Sequence, residues 1–326
     1  MNVYVVGSGA VGTFLGDRLA AGGANVVYAP RALEEVRPVA CDLAIVAVKA
    51  YDTDGAIATL RAALADSPGA TLLCPQNGVG NEEKLAAAFG SDAVVAAALT
   101  VPVGKSRDGK VAASNRGGIA LAPVGAQPHN WLVAAFESAQ IPVKVASDYR
   151  AMKWSKLALN IIANASCAIL NVLPERLVQL EGMFSLEVRA IRETRDVMKA
   201  LKLQPVDLPR YPVRALLGSV ALPSRIARLF LAGRIAGARG SKPPSLLLDL
   251  REAKGRTEVD VLNGAVADAG RALGVATPVN AVYARVLDDI AHMPQLWAKY
   301  RERPQALVAE VEAEEIRSGA VRSTTS

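Results

Sequence analysis

The sequence predicts an α/β Rossmann domain, a doubly wound and mostly parallel sheet, followed by an all-α carboxy-terminal domain. Three observations predict it. Up to about residue 146 short apolar runs alternate with helix-like stretches, the rhythm of a parallel sheet covered on both faces. A glycine-rich string, GSGAVG at 7–12, follows the first of those runs without a break. After Ser147 the strand-like runs stop, and apolar residues recur at three- and four-residue spacing.

The elements follow in chain order. Val3 to Val6, Asn25 to Tyr28, Leu43 to Val48, Ala70 to Cys74 and Ala93 to Val101 predict strands, and Lys110 to Ala113, Gly118 to Leu121 and Val143 to Val145 add three short ones. Between them Val11 to Ala21, Thr53 to Ala65 and Asn81 to Phe89 predict helices. In the second half the helical segments are Tyr149 to Leu170, Glu181 to Leu201, Ser245 to Lys254, Glu258 to Leu273, Val279 to His292 and Pro304 to Ile316. Prolines at 205, 209, 212 and 223 break its middle into loops and short helices. The expected division is 1–147 for the dinucleotide domain, 148–317 for the helical domain and 318–326 for a polar, flexible tail.

A chain of 326 residues exceeds the size at which one core usually keeps growing, in keeping with two domains. Net charge +6, from 37 Lys and Arg against 31 Asp and Glu, favours anionic ligands but is too diffuse to point at nucleic acid, and 5% aromatics supply few stacking platforms. Cys41, Cys74 and Cys167 show no paired spacing and the histidines are only His129 and His292, so reduced thiols and no metal are expected. Met1 leads almost at once into an apolar run with no basic leader, and no uncharged stretch approaches the ~20 residues of a membrane span; the expected address is the cytoplasm. RIARLFLAGRIAGARG at 225–240 is basic and apolar enough for a membrane-surface helix. A domain-packing helix with solvated arginines is the favoured reading of it.

In GSGAVG, Gly7 permits the tight turn, Gly9 lets the backbone approach a pyrophosphate, and Gly12 lets the helix pack on the strand. Ser8, Ala10 and Val11 complete the turn, and the helix start offers free N–H groups to phosphate. The bland alternative is a plain glycine turn. The second strand ends Tyr28-Ala29-Pro30-Arg31, with no carboxylate to hold a ribose hydroxyl. Arg31 suits a 2′-phosphate, which favours NADP (NADPH) over NAD, against the alternative of a solvated loop arginine. Lys49, closing LAIVAVK, can add a second cation there or be only a surface lysine.

The stretch MKWSKLALNIIANASCAIL at 152–170 interrupts an apolar helix with Lys156, Asn160 and Asn164, four residues apart. Each step of four advances about 40° around a helix, so the three span an arc of only about 80° and form a polar stripe on one face. A lysine on such a partly buried stripe can give a proton to a developing alkoxide, with asparagines to orient it and hold a substrate. Alternatively this is an ordinary helix with a surface lysine and two polar interface residues. Ser245 follows a proline pair at a helix start, where its hydroxyl and nearby N–H groups can receive a carboxylate, or where it is a plain N-cap. Glu258 opens the next helix as part of a cap, with Asp260 as a solvated neighbour.

These clusters, together with VKAYDT at 48–53, QNGVGNEE at 76–83, KWSKLALNIIAN at 153–164, PSLLLDL at 244–250, TEVDVLNG at 257–264 and GVATPVN at 274–280, resemble the ketopantoate reductase (2-dehydropantoate 2-reductase) family over nearly the whole chain. The resemblance implies NADPH-dependent reduction of 2-dehydropantoate to (R)-pantoate, a step towards pantothenate and coenzyme A. It implies Lys156 as general acid, with Asn77, Asn160, Asn164 and Ser245 holding the substrate and Asn77 also near the nicotinamide. It implies Glu258 as the acidic residue reaching substrate hydroxyl and cofactor, and Arg31 and Lys49 as the pair around the adenosine 2′-phosphate. The chain departs from the family in two places: only Ala32 to Cys41 separates Arg31 from the next strand, and Glu258 stands one residue further from Asp249 than usual. A reductase of another small 2-oxo acid, and a sensor that binds NADPH without turnover, are the competing readings. The expected partner is a small 2-oxo acid, not nucleic acid or membrane, and a homodimer is left open.

Overall fold

The computed structural model describes residues 1–106, 108–114, 116–127, 129–222, 233 and 243–319. Two compact units divide the chain: Met1–Lys156 with Val206–Pro212, and Leu157–Pro205 with the chain from Val213 onward.

The first unit is built on strands β1 (Asn2–Val6), β2 (Asn25–Tyr28), β3 (Leu43–Val46), β4 (Thr71–Cys74), β5 (Val94–Leu99), β8 (Ile119–Pro123) and β9 (Val143–Val145), in the order β2-β1-β3-β4-β5-β8-β9. Neighbours run parallel from β2 to β5, β8 pairs antiparallel with β5, and β9 is parallel to β8. A separate antiparallel ribbon joins β6 (Val103–Lys105) and β7 (Val111–Ala113). The sequence reading missed β6, because three residues reading Val-Gly-Lys carry no periodicity.

Alternation along the central strands feeds two cores. Val3, Val5, Leu43, Ile45, Leu73 and Val95 pack with Phe14, Leu15 and Leu19 of α1 (Ala10–Ala21) and with Leu132 and Phe136 of a helix at Asn130–Ser138. The alternate residues Tyr4, Val6, Ala44, Val46, Leu72 and Cys74 pack with Ala56 and Leu60 of α2 (Thr53–Ala63) and Leu85 of α3 (Asn81–Phe89). The helix at Asn130–Ser138 is α4, and α5 (Tyr149–Asn160) carries the chain across the division, which falls after Lys156. The change in composition at Ser147 marks where strands end. Compactness extends further, because Val206 N–H donates to Ser155 Oγ at 2.8 Å and Thr100 Oγ1 donates to the Pro209 carbonyl at 3.0 Å, returning 206–212 to the first unit.

The second unit is helical: α6 (Ala165–Leu170), α7 (Pro174–Leu177), α8 (Met183–Ala200), α9 (Val213–Ser219), α10 (Ser245–Arg251), α11 (Ala265–Leu273), α12 (Pro278–His292), α13 (Trp297–Tyr300) and α14 (Pro304–Arg317). Two buried carboxylates on α8 serve backbone N–H groups. Glu193 accepts from Val279 and Asn280 N–H at 3.0 Å each and from Asn280 Nδ2 at 2.7 Å, holding the first turn of α12. Burial pushes its carboxyl up to about 7 against the pull of those bonds.

The single helix expected over Tyr149 to Leu170 is a correction: it is two helices. Ala163 takes a left-handed φ of +47° and its N–H donates to Glu187 Oε2 at 2.6 Å. Asn164 Nδ2 donates at 3.0 Å to the Asn160 carbonyl, the acceptor that an unbroken helix would give to the Asn164 N–H. That N–H turns instead to the Ile161 carbonyl at 3.3 Å. A buried carboxylate and a side-chain amide thus outcompete the helical ladder at 161–164. Helix ends also fall short of the sequence reading, α2 closing at Ala63 and α10 at Arg251. The 225–240 segment, apart from Gly233, and the tail from 320 lie outside the described residues. Among the described residues no helix is long and apolar enough to cross a membrane, and no group of His, Cys, Asp and Glu is placed to hold a metal ion.

Candidate active site

The turn from β1 to α1 is closed underneath and open above. Gly7 has φ +105°, and a Cβ on it would stand 2.7 Å from the Ala47 carbonyl group at the end of β3. On Gly12 a Cβ would meet the Gly7 carbonyl oxygen at 1.9 Å, so only hydrogen fits where α1 crosses the turn. Gly9, the N-cap of α1, is exposed, and a Cβ there would meet nothing within 4 Å. The first N–H groups of α1, from Ala10 and Val11 on, lack intrahelical acceptors and start at that open face. From the side, Lys105 Nζ on β6 donates to the Ser8 carbonyl at 2.7 Å, and Thr13 Oγ1 donates to the same oxygen at 3.2 Å. Lys105 is a cation beside the turn that sequence reasoning missed, since its ribbon was not foreseen.

Because β2, β1 and β3 are parallel neighbours, the loops leaving them rise from one sheet edge. Arg31, exposed, follows β2, and Lys49, half-buried, follows β3 and begins the short turn Ala50–Asp52. They therefore flank the glycine turn on either side, at the position where the strand order reverses and such sheets bind ligands. The segment Ala32 to Cys41 adds one 3₁₀ turn, Leu33–Glu35, and buries Val36 and Cys41.

Asn77 is half-buried on the loop after β4, at the same edge. Its backbone is fixed from below: Asn81 Nδ2 donates to the Asn77 carbonyl at 3.1 Å, and Gln76 Nε2 donates to the Val48 carbonyl at 3.1 Å and to Thr53 Oγ1 at 2.9 Å. Thr53 Oγ1 in turn donates to Asn81 Oδ1 at 3.2 Å, so β3, β4, α2 and α3 share one polar brace.

Helix α5 meets that brace with a charge. Lys153 Nζ lies 2.7 Å from Glu82 Oε1, and the two side chains are 2% and 1% exposed. At that separation the buried ammonium and carboxylate form a direct ion pair. The ammonium also donates to the Gln76 carbonyl and, at 3.4 Å, to the Ala97 carbonyl. Burial alone would lower the amine's affinity for its proton, but the Glu82 carboxylate and Cys74 outweigh it and the pKa is raised. One turn earlier, Tyr149 Oη donates to Glu83 at 3.2 Å; burial, reinforced by that carboxylate, pushes the phenol up to about 12. Lys156, half-buried, comes next along α5. Neither member of the pair at 82 and 153 was singled out from the sequence, although both lie inside the quoted motifs; nothing in spacing alone marks a lysine and a glutamate far apart in the chain as partners.

In the second unit Asn160, Asn164 and Ser245 are brought together by backbone. Asn164, 1% exposed, gives Nδ2 to the Asn160 carbonyl and takes the Leu246 N–H on Oδ1 at 3.3 Å. The stripe expectation is corrected here: Asn164 caps α6 beyond the break, so only Lys156 and Asn160 share a helix. Ser245 is likewise not the N-cap but the first residue of α10, with Pro244 as N-cap. The proline's fixed φ presets the entry, and Asn164 takes the N–H that a capping hydroxyl would serve. Glu258 does not open a helix; it is buried two residues ahead of a π-helical turn at Asp260–Gly264 that leads into α11.

Comparison with known proteins agrees in one direction. Family models described as ketopantoate reductase PanE/ApbA match residues 25–125, and its C-terminal counterpart matches 148–291. The 2-dehydropantoate 2-reductase of Pyrobaculum aerophilum is 30% identical over 236 residues, 72% of this chain and 72% of its own. A PanE/ApbA family ketopantoate reductase from Ralstonia eutropha JMP134 superposes with TM-score 0.72 at 28% identity, covering 90% of this chain and all of that one (100%). A D-mandelate dehydrogenase solved with NADH and anilino(oxo)acetate superposes with TM-score 0.74 at 17% identity, over 91% of this chain and 99% of its own, a likeness of fold.

Proposed function

Because the chain belongs to the ketopantoate reductase family, we propose that it reduces 2-dehydropantoate to (R)-pantoate with NADPH, with Lys156 giving the proton that completes the alcohol. Membership makes it an oxidoreductase that acts on a small keto acid with a nicotinamide cofactor. The observation that supports the finer reading is that the glycine turn, Asn77 and Lys156 all belong to the first compact unit.

The residues at the sheet edge fit a dinucleotide: space stands open over Gly9 while Gly7 and Gly12 close the turn beneath it. The amides at the start of α1 would hold the pyrophosphate, and Arg31 and Lys49 the adenosine 2′-phosphate. Bound NADPH supplies the hydride. Lys156 holds a proton for the ketone oxygen and, as a cation, attracts the charge that grows there. Asn77 orients the carboxamide end of the cofactor and the substrate. Asn160 and the Ser245 hydroxyl bind the substrate, Asn164 setting the local backbone of both, and Glu258 accepts from the substrate hydroxyl.

A second reading keeps the chemistry and changes the molecules: another small 2-oxo acid, or NADH. The short Ala32 to Cys41 segment favours it on the cofactor side, since one 3₁₀ turn offers few groups beside an adenosine. Absorbance at the reduced-nicotinamide band, followed with purified protein, NADPH or NADH and a panel of 2-oxo acids, tests both. The first reading expects fastest turnover with NADPH and 2-dehydropantoate. Turnover of other 2-oxo acids with 2-dehydropantoate ignored supports the second, and no turnover of any would leave a binding protein.

A further inference from the structure

A lysine and a glutamate removed almost completely from water are a poor source of stability, because desolvating two charges offsets most of their attraction. The pair Lys153–Glu82, at 2% and 1% exposure, is such a case, and its surroundings indicate another role. Glu82 and Glu83 form the first turn of α3, which the chain reaches directly from the Asn77 loop. Lys153 and Tyr149 grip those two carboxylates from successive turns of α5, and Lys153 also holds the carbonyl of Gln76, the residue before Asn77.

The spacing matters. At about 100° per residue, Tyr149 to Lys153 advances about 40° around α5 and Lys153 to Lys156 turns back about 60°, so all three share one face. That face is tied to the Glu83 end of the 76–83 segment through Tyr149 and to its Gln76 end through Lys153. Lys156 is the next residue on it. We propose that Glu82 and Lys153 are positioning residues of the reductase site, fixing the Lys156 face of α5 to the loop that carries Asn77. The inference rests on the functional reading above, in which Lys156 is the acid and Asn77 lies at the nicotinamide. It explains why the ammonium takes two backbone carbonyls besides its carboxylate: a point charge with several acceptors fixes helix and loop together, whereas an apolar contact would let them slide.

The test replaces both charges with apolar residues of similar size, Lys153→Met with Glu82→Leu. The double variant is expected to melt within a few degrees of the parent and to bind NADPH within threefold, while kcat falls at least tenfold and the solvent deuterium isotope effect on kcat rises as proton delivery becomes limiting. A kcat within twofold of the parent, with an unchanged isotope effect, overturns the proposal. Amide hydrogen exchange on the unaltered protein decides the matter without the variant: amides of 76–82 and 150–156 are expected to open as one cooperative unit, and independent opening overturns the clamp. A parent inactive towards every 2-oxo acid would end the functional reading instead, and the exchange result would still stand or fall separately.

Discussion

Gly12 lies so close under the nucleotide turn that a Cβ on it would stand 1.9 Å from the Gly7 carbonyl oxygen, whereas a Cβ on Gly9 would touch no protein atom within 4 Å. Two glycines three residues apart therefore meet different surroundings, one pressed against backbone and the other facing open space. Gly12→Ala is expected to lower the melting temperature by several degrees or abolish folding. Gly9→Ala should melt like the parent yet bind NADPH at least tenfold more weakly, as read by quenching or enhancement of nicotinamide fluorescence. Equal melting losses in the two variants would contradict the assignment.

Arg31 is exposed on the loop leaving β2, three residues beyond the strand. A bidentate arginine–phosphate contact is worth about 1.5–3 kcal/mol. Arg31→Ala should weaken NADPH on the order of tenfold to a hundredfold and NADH little, by titration. Equal losses for both cofactors would mean that Arg31 does not read the 2′-phosphate.

Much of this was legible in the sequence, and for identifiable reasons. The buried strands read as continuous apolar runs, and GSGAVG stood between a strand and a helix, where only a nucleotide turn or a plain glycine turn fits. The break at 161–164 was not legible, because Ile161, Ile162 and Ala163 continue a helical pattern and the carboxylate that stops them, Glu187, lies 24 residues away. The bond from the Leu246 N–H to Asn164 was not legible for the same reason, since the two residues stand 82 apart in the chain. Periodicity registers local spacing; pairings across the chain leave no trace in it.

Asn164, 1% exposed, donates to the Asn160 carbonyl at the end of α5 and accepts from the Leu246 N–H in the first turn of α10. Removing it takes a partner from the half-buried Asn160 carbonyl and from the buried Leu246 N–H, and a buried group left unsatisfied costs about 1–3 kcal/mol. Asn164→Ala should lose roughly 2–4 kcal/mol of stability in urea denaturation. A loss of activity with stability unchanged would instead make Asn164 a direct substrate contact.

The pH dependence of stability carries a signature of Glu193. Its folded carboxyl sits near 7 against an ordinary 4.5, so between those values the folded state holds a proton that the unfolded state has released. Stability from this group is present in full below about 4.5 and falls as pH rises through 7, by on the order of 3 kcal/mol. Glu310 works the other way: hydrogen bonds from Lys299 and Arg285 hold it near 2, so its contribution is present above about 4.5 and is lost as pH falls towards 2. Denaturant midpoints between pH 5 and 8 should decline with rising pH in the parent and flatten in Glu193→Gln. The same decline in both proteins would assign it to other groups.

In the proposed reaction Lys156 alone delivers the proton to the ketone oxygen, and its removal isolates that step. In Lys156→Ala, single-turnover oxidation of NADPH by 2-dehydropantoate should slow by two or more powers of ten, the usual scale for a general acid, while the dissociation constant for NADPH stays within threefold. A rate within fivefold of the parent would contradict the assignment of Lys156 as the proton donor.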